Sequence, residues 1–350
     1  MANRTSASRT QRRRNRRYLS LVVIVMVLAA GWVAFWNYAT SKAEETLAGW
    51  RAREAKAGRV YACGTENFAG FPFRFEFLCD NASAVLKSAQ PPVELKTRKI
   101  HVAAQIYQPT LLISEFEGPL AVAEPGRPPD LIANWKLAQS SVRGTPQAPN
   151  RVSLSFDDPT LERRNPTQQL LRAKHLELHG RIVEGSVTNR PVIEAALRAE
   201  RLSAPAAGPL AVAPIDASID VLLRGLTDFS PKDWPARFRE IQAAGGRIEI
   251  VKARVSQGET LAVGSGALSL NARGALDGQI NLVVAGLDAF INTAMAARRQ
   301  QAGLGITLGL SLLGGTTSVE GRPAVALPLR VTDGAIFLGP LPLGQIPPLF

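Results

Sequence analysis

Histidine and carboxylate side chains come closest together in the sequence at His175, Glu177 and His179, which alternate with leucines. Two imidazoles and a carboxylate are a common ligand set for zinc, so metal chemistry is the first possibility to weigh. The alternation predicts a β-strand, and residues four apart on a strand lie about 13 Å from each other. Two histidine nitrogens on one zinc must lie within about 4 Å. We therefore predict no metal site and assign these side chains to the polar face of a half-buried strand.

Other sequence features that could carry catalysis are weak. Asp157 and Asp158 are paired carboxylates, but the following Pro159 makes these residues typical of a turn. The segment Gly264-Ser265-Gly266 lacks the spacing of a nucleophile elbow, and neither a Walker-type phosphate loop nor a dinucleotide fingerprint occurs. We predict a protein that is not an enzyme, with no catalytic residues, no cofactor and no bound metal.

The chain has two cysteines, Cys63 and Cys79, whose separation does not fit a CxxC metal or redox site. A bridge between them would close a loop of about 15 residues and contribute roughly 3 kcal/mol of stability in the chain-entropy model. Disulfides persist in oxidising compartments such as the bacterial periplasm. We predict a Cys63–Cys79 disulfide; two reduced, buried cysteines are the alternative.

Between the cysteines, phenylalanine at every second position predicts a strand with one apolar face. The residues on that face are Phe71, Phe73, Phe75, Phe77 and Cys79. Tyr61 and Cys63 are expected on the facing strand, with residues 64–70 as the turn. The four phenylalanines are the candidate lining of an apolar binding site.

From about residue 93 onward, period-two alternation recurs with short turns between the segments, which predicts antiparallel sheet with one face buried. We expect a mainly β domain over residues 59–350, built as a curved antiparallel sheet or a β-sandwich-like domain. Residues 203–214 are a proline-containing seam that could separate two halves. A few helices are also expected, one beginning near Trp234 and another near Asp288.

The N-terminal segment positions this domain. A basic cluster precedes the uncharged apolar residues 19–36, which as a helix would span roughly 27 Å, against a hydrocarbon core of about 30 Å. The cluster consists of Arg12, Arg13, Arg14, Arg16 and Arg17. Basic flanks stay in the cytoplasm, and tryptophans favour the opposite interface. We predict a bacterial inner-membrane protein with cytoplasmic residues 1–18, one transmembrane helix over residues 19–36, a helical stalk over residues 37–58, and a periplasmic β domain.

A cleaved signal peptide is the alternative interpretation of the same segment. Bulky Trp32 and Trp36 stand where the small residues of a cleavage site would lie, which favours the uncleaved anchor. The segment also accounts for much of the net positive charge of the chain. Seven of the 41 basic residues lie in residues 1–17, and the rest of the chain has 34 Lys and Arg against 29 Asp and Glu, or +5. This modest excess does not indicate a nucleic-acid partner.

Two blocks of sequence carry a resemblance to known proteins. The first is Cys63, Gly70-Phe71-Pro72-Phe73-Arg74 and Cys79, and the second is Asp333-Gly334, Leu338-Gly339-Pro340-Leu341-Pro342-Leu343-Gly344 and Pro347-Pro348. Together they resemble a domain-of-unknown-function family of N-terminally anchored bacterial envelope proteins, which has no assigned catalytic residues. More distantly, residues 266–280 are similar to repeats of AsmA-like envelope proteins. That likeness implies a curved sheet with an apolar trough and a role in moving or organising lipid.

Two functions follow from these observations. In the first, apolar strand faces line a groove that binds or organises lipid or another apolar ligand. In the second, those faces close on each other, and the protein is a structural or interaction component of the envelope. The expected partners are the bilayer, through the N-terminal helix, and phospholipid or envelope proteins.

Overall fold

The computed structural model describes residues 6–145, 148–208, 211–230, 232–289 and 315–350. Most of these residues are in β-strands, which form one large antiparallel sheet that is not closed into a barrel. The prediction of a mainly β, antiparallel domain is confirmed. Alternating apolar and polar residues explain this fold, because each strand can bury one face while its backbone groups pair with its neighbours.

Helix α1 (Ser6–Lys56) is continuous, so the predicted span and stalk form a single helix. Its portion from Arg17 onward is the one helix among the described residues that is long and apolar enough to cross a membrane. The large apolar side chains between Tyr18 and Leu28 are all more than half exposed. Gly58 then takes a φ of +79°, which lets the chain turn from the helix into the first strand.

The strands that follow α1 form the N-terminal part of the sheet. They are β1 (Arg59–Ala62), β2 (Thr65–Ala69), β3 (Arg74–Leu86), β4 (Val93–Gln105), β5 (Gln108–Glu117), β6 (Leu120–Ala123), β7 (Leu131–Asn134), β8 (Leu137–Thr145), β9 (Ala148–Asp157), β10 (Thr160–Arg164), β11 (Thr167–Arg172), β12 (His175–Ser186) and β13 (Asn189–Leu202). β1 and β2 both pair with β3 at the edge, and the long strands continue in the order β3, β4, β5, β8, β9, β12, β13. The short strands form a second series of pairings: β6 pairs with β4 and β7, and β10 pairs with β7 and β11.

The remaining elements complete the sheet and add a second helix. They are β14 (Ile215–Arg224), α2 (Trp234–Ala243), β15 (Arg247–Gln257), β16 (Thr260–Leu270), β17 (Leu276–Ala285), β18 (Gly315–Val319), β19 (Arg322–Thr332), β20 (Ala335–Leu338) and β21 (Leu341–Gln345). The order is β13, β14, β15, β16, β17, β19, with β18 and β20 on β19 and β21 on β20.

The predicted seam at residues 203–214 is a connection outside the strands that contains a 3-10 turn, Pro205–Ala207. β13 and β14 pair on either side of it, so the sheet continues, and the division into two halves stays a prediction. The helix expected near Trp234 is confirmed as α2. The helix expected near Asp288 starts at Leu287, and its course beyond Ala289 lies outside the described residues.

The strand predicted through the phenylalanine run is shorter than expected. β3 begins at Arg74, so Phe71 and Phe73 lie in the preceding turn, where the Arg74 N–H donates to the Gly70 carbonyl at 2.9 Å. Pro72 has no N–H to donate to a sheet ladder, and Gly70 takes a φ of +101°, so both residues favour a turn. The strand facing this part of β3 is β2, so the predicted turn over residues 64–70 is wrong. Tyr61 does pair with β3, as predicted, but further along the strand, opposite Ala84.

Buried leucine and valine side chains concentrate at the C-terminal end of the sheet. Val284, Leu287, Leu327 and Leu338 form one cluster. Leu261, Ala285 and Ala324 form a second cluster. The densest packing of the described domain therefore lies around β16, β17, β19 and β20, far along the strand order from α1.

Candidate functional site

One face of the sheet is apolar across nearly its whole width. Direct partners on antiparallel strands point to the same side, so a row of partners maps one face. A row from β3 to β19 consists of Phe77, Val102, Ser114, Ser140, Leu154, Leu178, Leu197, Ile219, Ala253, Gly264, Leu282 and Leu327. Ser114 and Ser140 are its only polar residues. This row lies at the centre of what we call the apolar face.

The rows two residues to either side are also apolar, as the period of a strand requires for one face. On one side lie Cys79, Ile100, Phe116, Ala138, Phe156, Leu176, Ala199, Ala217, Val255, Ala262, Val284 and Val325. On the other lie Phe75, Ala104, Leu112, Val142, Val152, Gly180, Ala195, Val221, Ile250, Gly266, Ile280 and Leu329. The apolar face is therefore continuous along and across the strands.

Burial of the apolar face differs from one part to another. Val284 and Leu327, at the C-terminal end, are each 6% exposed. In the middle of the sheet, Leu178 is 45% and Leu197 39% exposed, although both belong to the same row as Leu327. A sheet face that is closed by a second layer buries such leucines. The middle strands therefore leave an accessible apolar surface.

The short helix α2 covers one corner of the apolar face and leaves a cavity beneath it. The cavity has a volume of about 310 Å³, within the size range of small-ligand pockets. Its walls include Leu223, Ile248 and Leu268 from adjacent strands, and Phe238 and Ile241 from α2. These side chains make it an apolar cavity that fits hydrocarbon better than a polar ligand.

A half-buried ion-pair cluster holds α2 in this position. Glu240 accepts hydrogen bonds from the Thr227 N–H and from Lys232 Nζ, both at 2.6 Å. Arg237 lies 3.0 Å from the same carboxylate. Burial acts to raise the pKa of Glu240, but the hydrogen bonds from Lys232 and Thr227 and the charge of Arg237 outweigh it and set the pKa at about 2. The carboxylate is thus ionised at neutral pH and ties α2 to the preceding loop.

At its other end, the apolar face meets helix α1. The Trp36 ring stacks on Phe75 with ring centroids 6.4 Å apart, and the Arg51 guanidinium lies 5.9 Å from the centre of the Phe77 ring. Arg51 also pairs with Glu66 at 2.7 Å. Phe75 and Phe77, two of the predicted lining residues, are therefore on the apolar face beside α1. Phe71 and Phe73 are 51% and 65% exposed in the turn and do not belong to it.

The two cysteines form the predicted disulfide, with Cα atoms 5.3 Å apart. Cys79 is 3% exposed in the apolar face, whereas Cys63 precedes β2. The bond joins the segment after β1 to the strand that carries Phe75 and Phe77. It therefore stabilises the part of the sheet that contacts α1.

The opposite face carries the His175, Glu177 and His179 cluster, where the strand prediction placed it. His175 lies 2.6 Å from Asp157 through Nδ1 and 3.0 Å from Glu177 through Nε2, and His179 lies 3.2 Å from the other Glu177 oxygen. The histidines are thus bridged by a carboxylate. Within the described ranges, no group of three or more His, Cys, Asp and Glu residues is arranged to hold a metal ion.

These contacts shift two pKa values. The hydrogen bond to Glu177, followed by that to Asp157, raises the pKa of His175, while contacts with His175 and then His179 lower the pKa of Glu177. Because the folded-state pKa of His175 is raised, its contribution to stability is fully present below the unfolded value of about 6.5 and is lost as pH rises through the folded pKa.

We expect the substitution Glu177→Gln to lower the pKa of His175, because it removes the largest cause of the shift. The pKa is measured by NMR titration of labelled histidine in the full-length protein in detergent. Glu194→Gln is the control, since Glu194 forms its ion pair with Arg181 and not with His175. An unchanged His175 pKa in Glu177→Gln would contradict this electrostatic explanation.

Several residues of this site were not predicted from the sequence. The contacts of Trp36 and Arg51 with β3 and the cavity under α2 join segments far apart in the chain, so no local pattern signals them. A signal was present in the spacing of Trp36 and Trp50, about four helical turns, which places both rings on one side of α1. Trp50 does stack on Tyr61, with ring centroids 4.8 Å apart.

Comparison with known proteins identifies a family for this chain. A family model described as "uncharacterized protein conserved in bacteria (DUF2125)" matches residues 36–347. No curated protein and no solved structure matches the chain. The family match begins at Trp36 and takes in the β domain from its first strand to β21. The resemblance to AsmA-like proteins is not confirmed.

Proposed function

The chain belongs to this family of bacterial proteins, and from that premise we propose that it is a single-pass inner-membrane protein whose periplasmic β domain binds or organises lipid. In this role the protein is non-catalytic. It rests first on the N-terminal segment, where a basic cluster precedes a helix long and apolar enough to cross a bilayer. The disulfide supports an oxidising compartment for the β domain.

The single observation that carries lipid binding is the accessible middle of the apolar face. Leu178 and Leu197 are direct cross-strand partners, and they remain 45% and 39% exposed. Exposed apolar surface of this kind marks a binding site in soluble domains, because water contact with it is unfavourable. A hydrocarbon chain lying along the strands would remove this surface from water.

The position of the apolar face adds a route for the ligand. Its first strand, β3, is the one that α1 contacts through Trp36, at the end of the predicted span. A lipid leaving the outer half of the bilayer would meet Phe75 first and could then follow apolar side chains from strand to strand. At the far end of the sheet, the buried clusters around Leu327 and Leu338 favour the alternative function, in which the apolar face is covered and serves as a structural core.

We expect lipid to crosslink to the apolar face and not to the polar face. A photoreactive benzoylphenylalanine is introduced at position 178 or at position 179 of the full-length protein, and intact bacteria are irradiated. Leu178 and His179 are neighbours on β12 with solvent-accessible side chains, but they point to opposite faces. Mass spectrometry should find phospholipid adducts several-fold more abundant at position 178.

The matched pair separates specific binding from general contact with membrane lipid. The two positions are adjacent on the same strand and both side chains are accessible, so a nonspecific encounter with membrane lipid labels both. Equal adduct yields at the two positions, or adducts to protein alone at position 178, would refute lipid binding by the apolar face. Protein adducts at position 178 would instead support the structural or interaction role.

A further inference from the structure

Two neighbouring turns at one end of the sheet expose large aromatic side chains. Phe71 is 51% and Phe73 65% exposed in the turn before β3, and Tyr107 is 77% exposed in the turn between β4 and β5. The Ile106 N–H donates to the Phe73 carbonyl at 3.1 Å, which holds the two turns together. We call Phe71, Phe73 and Tyr107 the aromatic rim. Adjacent exposed aromatics of this size indicate an interaction surface.

The aromatic rim is attached directly to helix α1. The Trp32 indole N–H donates to the Pro72 carbonyl at 3.0 Å, and that of Trp36 donates to the Arg74 carbonyl at 3.4 Å. The Trp36 ring also packs edge-on against Phe71, with ring centroids 5.5 Å apart. The turn is therefore held beside Trp32 and Trp36, next to the last turns of the apolar segment.

The length of the helix gives the depth of this contact. Arg17 and Trp32 are separated by about 22 Å along a helix that rises roughly 1.5 Å per residue. A hydrocarbon core is about 30 Å thick, so with Arg17 at the cytoplasmic boundary Trp32 lies within reach of the opposite boundary. Tryptophan and tyrosine concentrate at that level, where an aromatic ring meets both acyl chains and headgroups.

We propose that the aromatic rim inserts into the outer leaflet of the membrane that α1 spans. Its partner is the phospholipid interface, recognised by Phe71, Phe73 and Tyr107 as apolar and aromatic wedges. This inference rests on the membrane anchor of the proposed function and adds an orientation to it. The end of the sheet where β3 begins and β4 ends faces the bilayer, and Phe75 lies next to the inserted turn.

Nitroxide labelling of the full-length protein in nanodiscs of phosphatidylcholine and phosphatidylglycerol tests the depth of the rim. Phe73→Cys and Tyr107→Cys each provide one labelling site, because Cys63 and Cys79 are bonded to each other. Ser88→Cys, exposed in the turn at the other end of β3, is the aqueous control. Leu28→Cys is the reference within the apolar segment.

Electron paramagnetic resonance compares collisions with oxygen, which enters the bilayer, and with a water-soluble nickel chelate. We expect the oxygen-to-nickel ratio at positions 73 and 107 to be several-fold above that at position 88. Ratios at 73 and 107 equal to that at 88, with a high ratio at 28, would overturn the inference and leave the anchor intact. A ratio at 28 as low as that at 88 would overturn the anchor itself, and the inference with it.

Discussion

Leu338→Ala is expected to lower the free energy of unfolding of the β domain by about 2–5 kcal/mol. Leu338 is 1% exposed and packs with Val284, Leu287 and Leu327 in the main buried cluster. Truncation to alanine removes apolar contacts and leaves a cavity that the surrounding strands cannot fill without moving. Chemical denaturation of the full-length protein in detergent, followed by circular dichroism, measures the change.

Leu343→Ala is the matched control for this substitution. Leu343 lies on β21, the partner of the strand that carries Leu338, but it is 49% exposed. The same truncation at an exposed site should change the unfolding free energy by only about 0.5 kcal/mol. If the two variants unfold at the same denaturant concentration, the C-terminal cluster is not the main core of the domain.

The alternation of apolar and polar residues was enough to predict the strands, but it could not predict which parts of the apolar face are covered. Leu178 and Leu327 belong to the same row, and both alternate with residues that are less apolar than leucine. One is 45% exposed and the other 6%. The difference depends on what packs above them, and such contacts join residues far apart in the chain. An open groove and a closed core therefore give the same period-two pattern.

The phenylalanine run shows the opposite case, in which local chemistry overrides a clear pattern. Period two places Phe71 and Phe73 on one face with Phe75, yet the strand begins only at Arg74. Pro72 lacks the N–H for a ladder, and Gly70 adopts a φ that other residues avoid. These two residues were visible in the sequence and pointed to a turn. The contact of that turn with Trp32 and Trp36 was not predictable, because it depends on how α1 docks.

The N-terminal helix was the most predictable element, since its length and composition alone decide whether it can cross a bilayer. Its continuation to Lys56 without a break was also indicated by a stretch free of proline. The sequence did not indicate which part of the sheet the helix contacts. This contact places one end of the apolar face beside the anchor, and the functional proposal depends on it.

Loss of the disulfide is expected to destabilise the edge of the sheet that contacts α1. Cys79→Ser should lower the unfolding free energy by about 3 kcal/mol and the melting temperature by several degrees. The reason is that the bond joins two residues 16 positions apart and so restricts the unfolded chain. Thermal melting of the full-length protein in detergent without reducing agent measures the shift. Equal melting temperatures of wild type and variant would contradict a stabilising bond.

A second variant separates the bond from the packing of the cysteine itself. Cys79 is 3% exposed in the apolar face, so serine there also buries a hydroxyl among apolar side chains. Cys63 lies outside that face, so Cys63→Ser removes the bond without burying a hydroxyl among apolar side chains. We expect Cys63→Ser to account for most of the fall, with a smaller additional loss in Cys79→Ser. Reducing agent should bring the wild type to the melting temperature of Cys63→Ser, since both then lack the same constraint. If reducing agent leaves the melting temperature of the wild type unchanged, the whole effect of Cys79→Ser is due to the loss of packing.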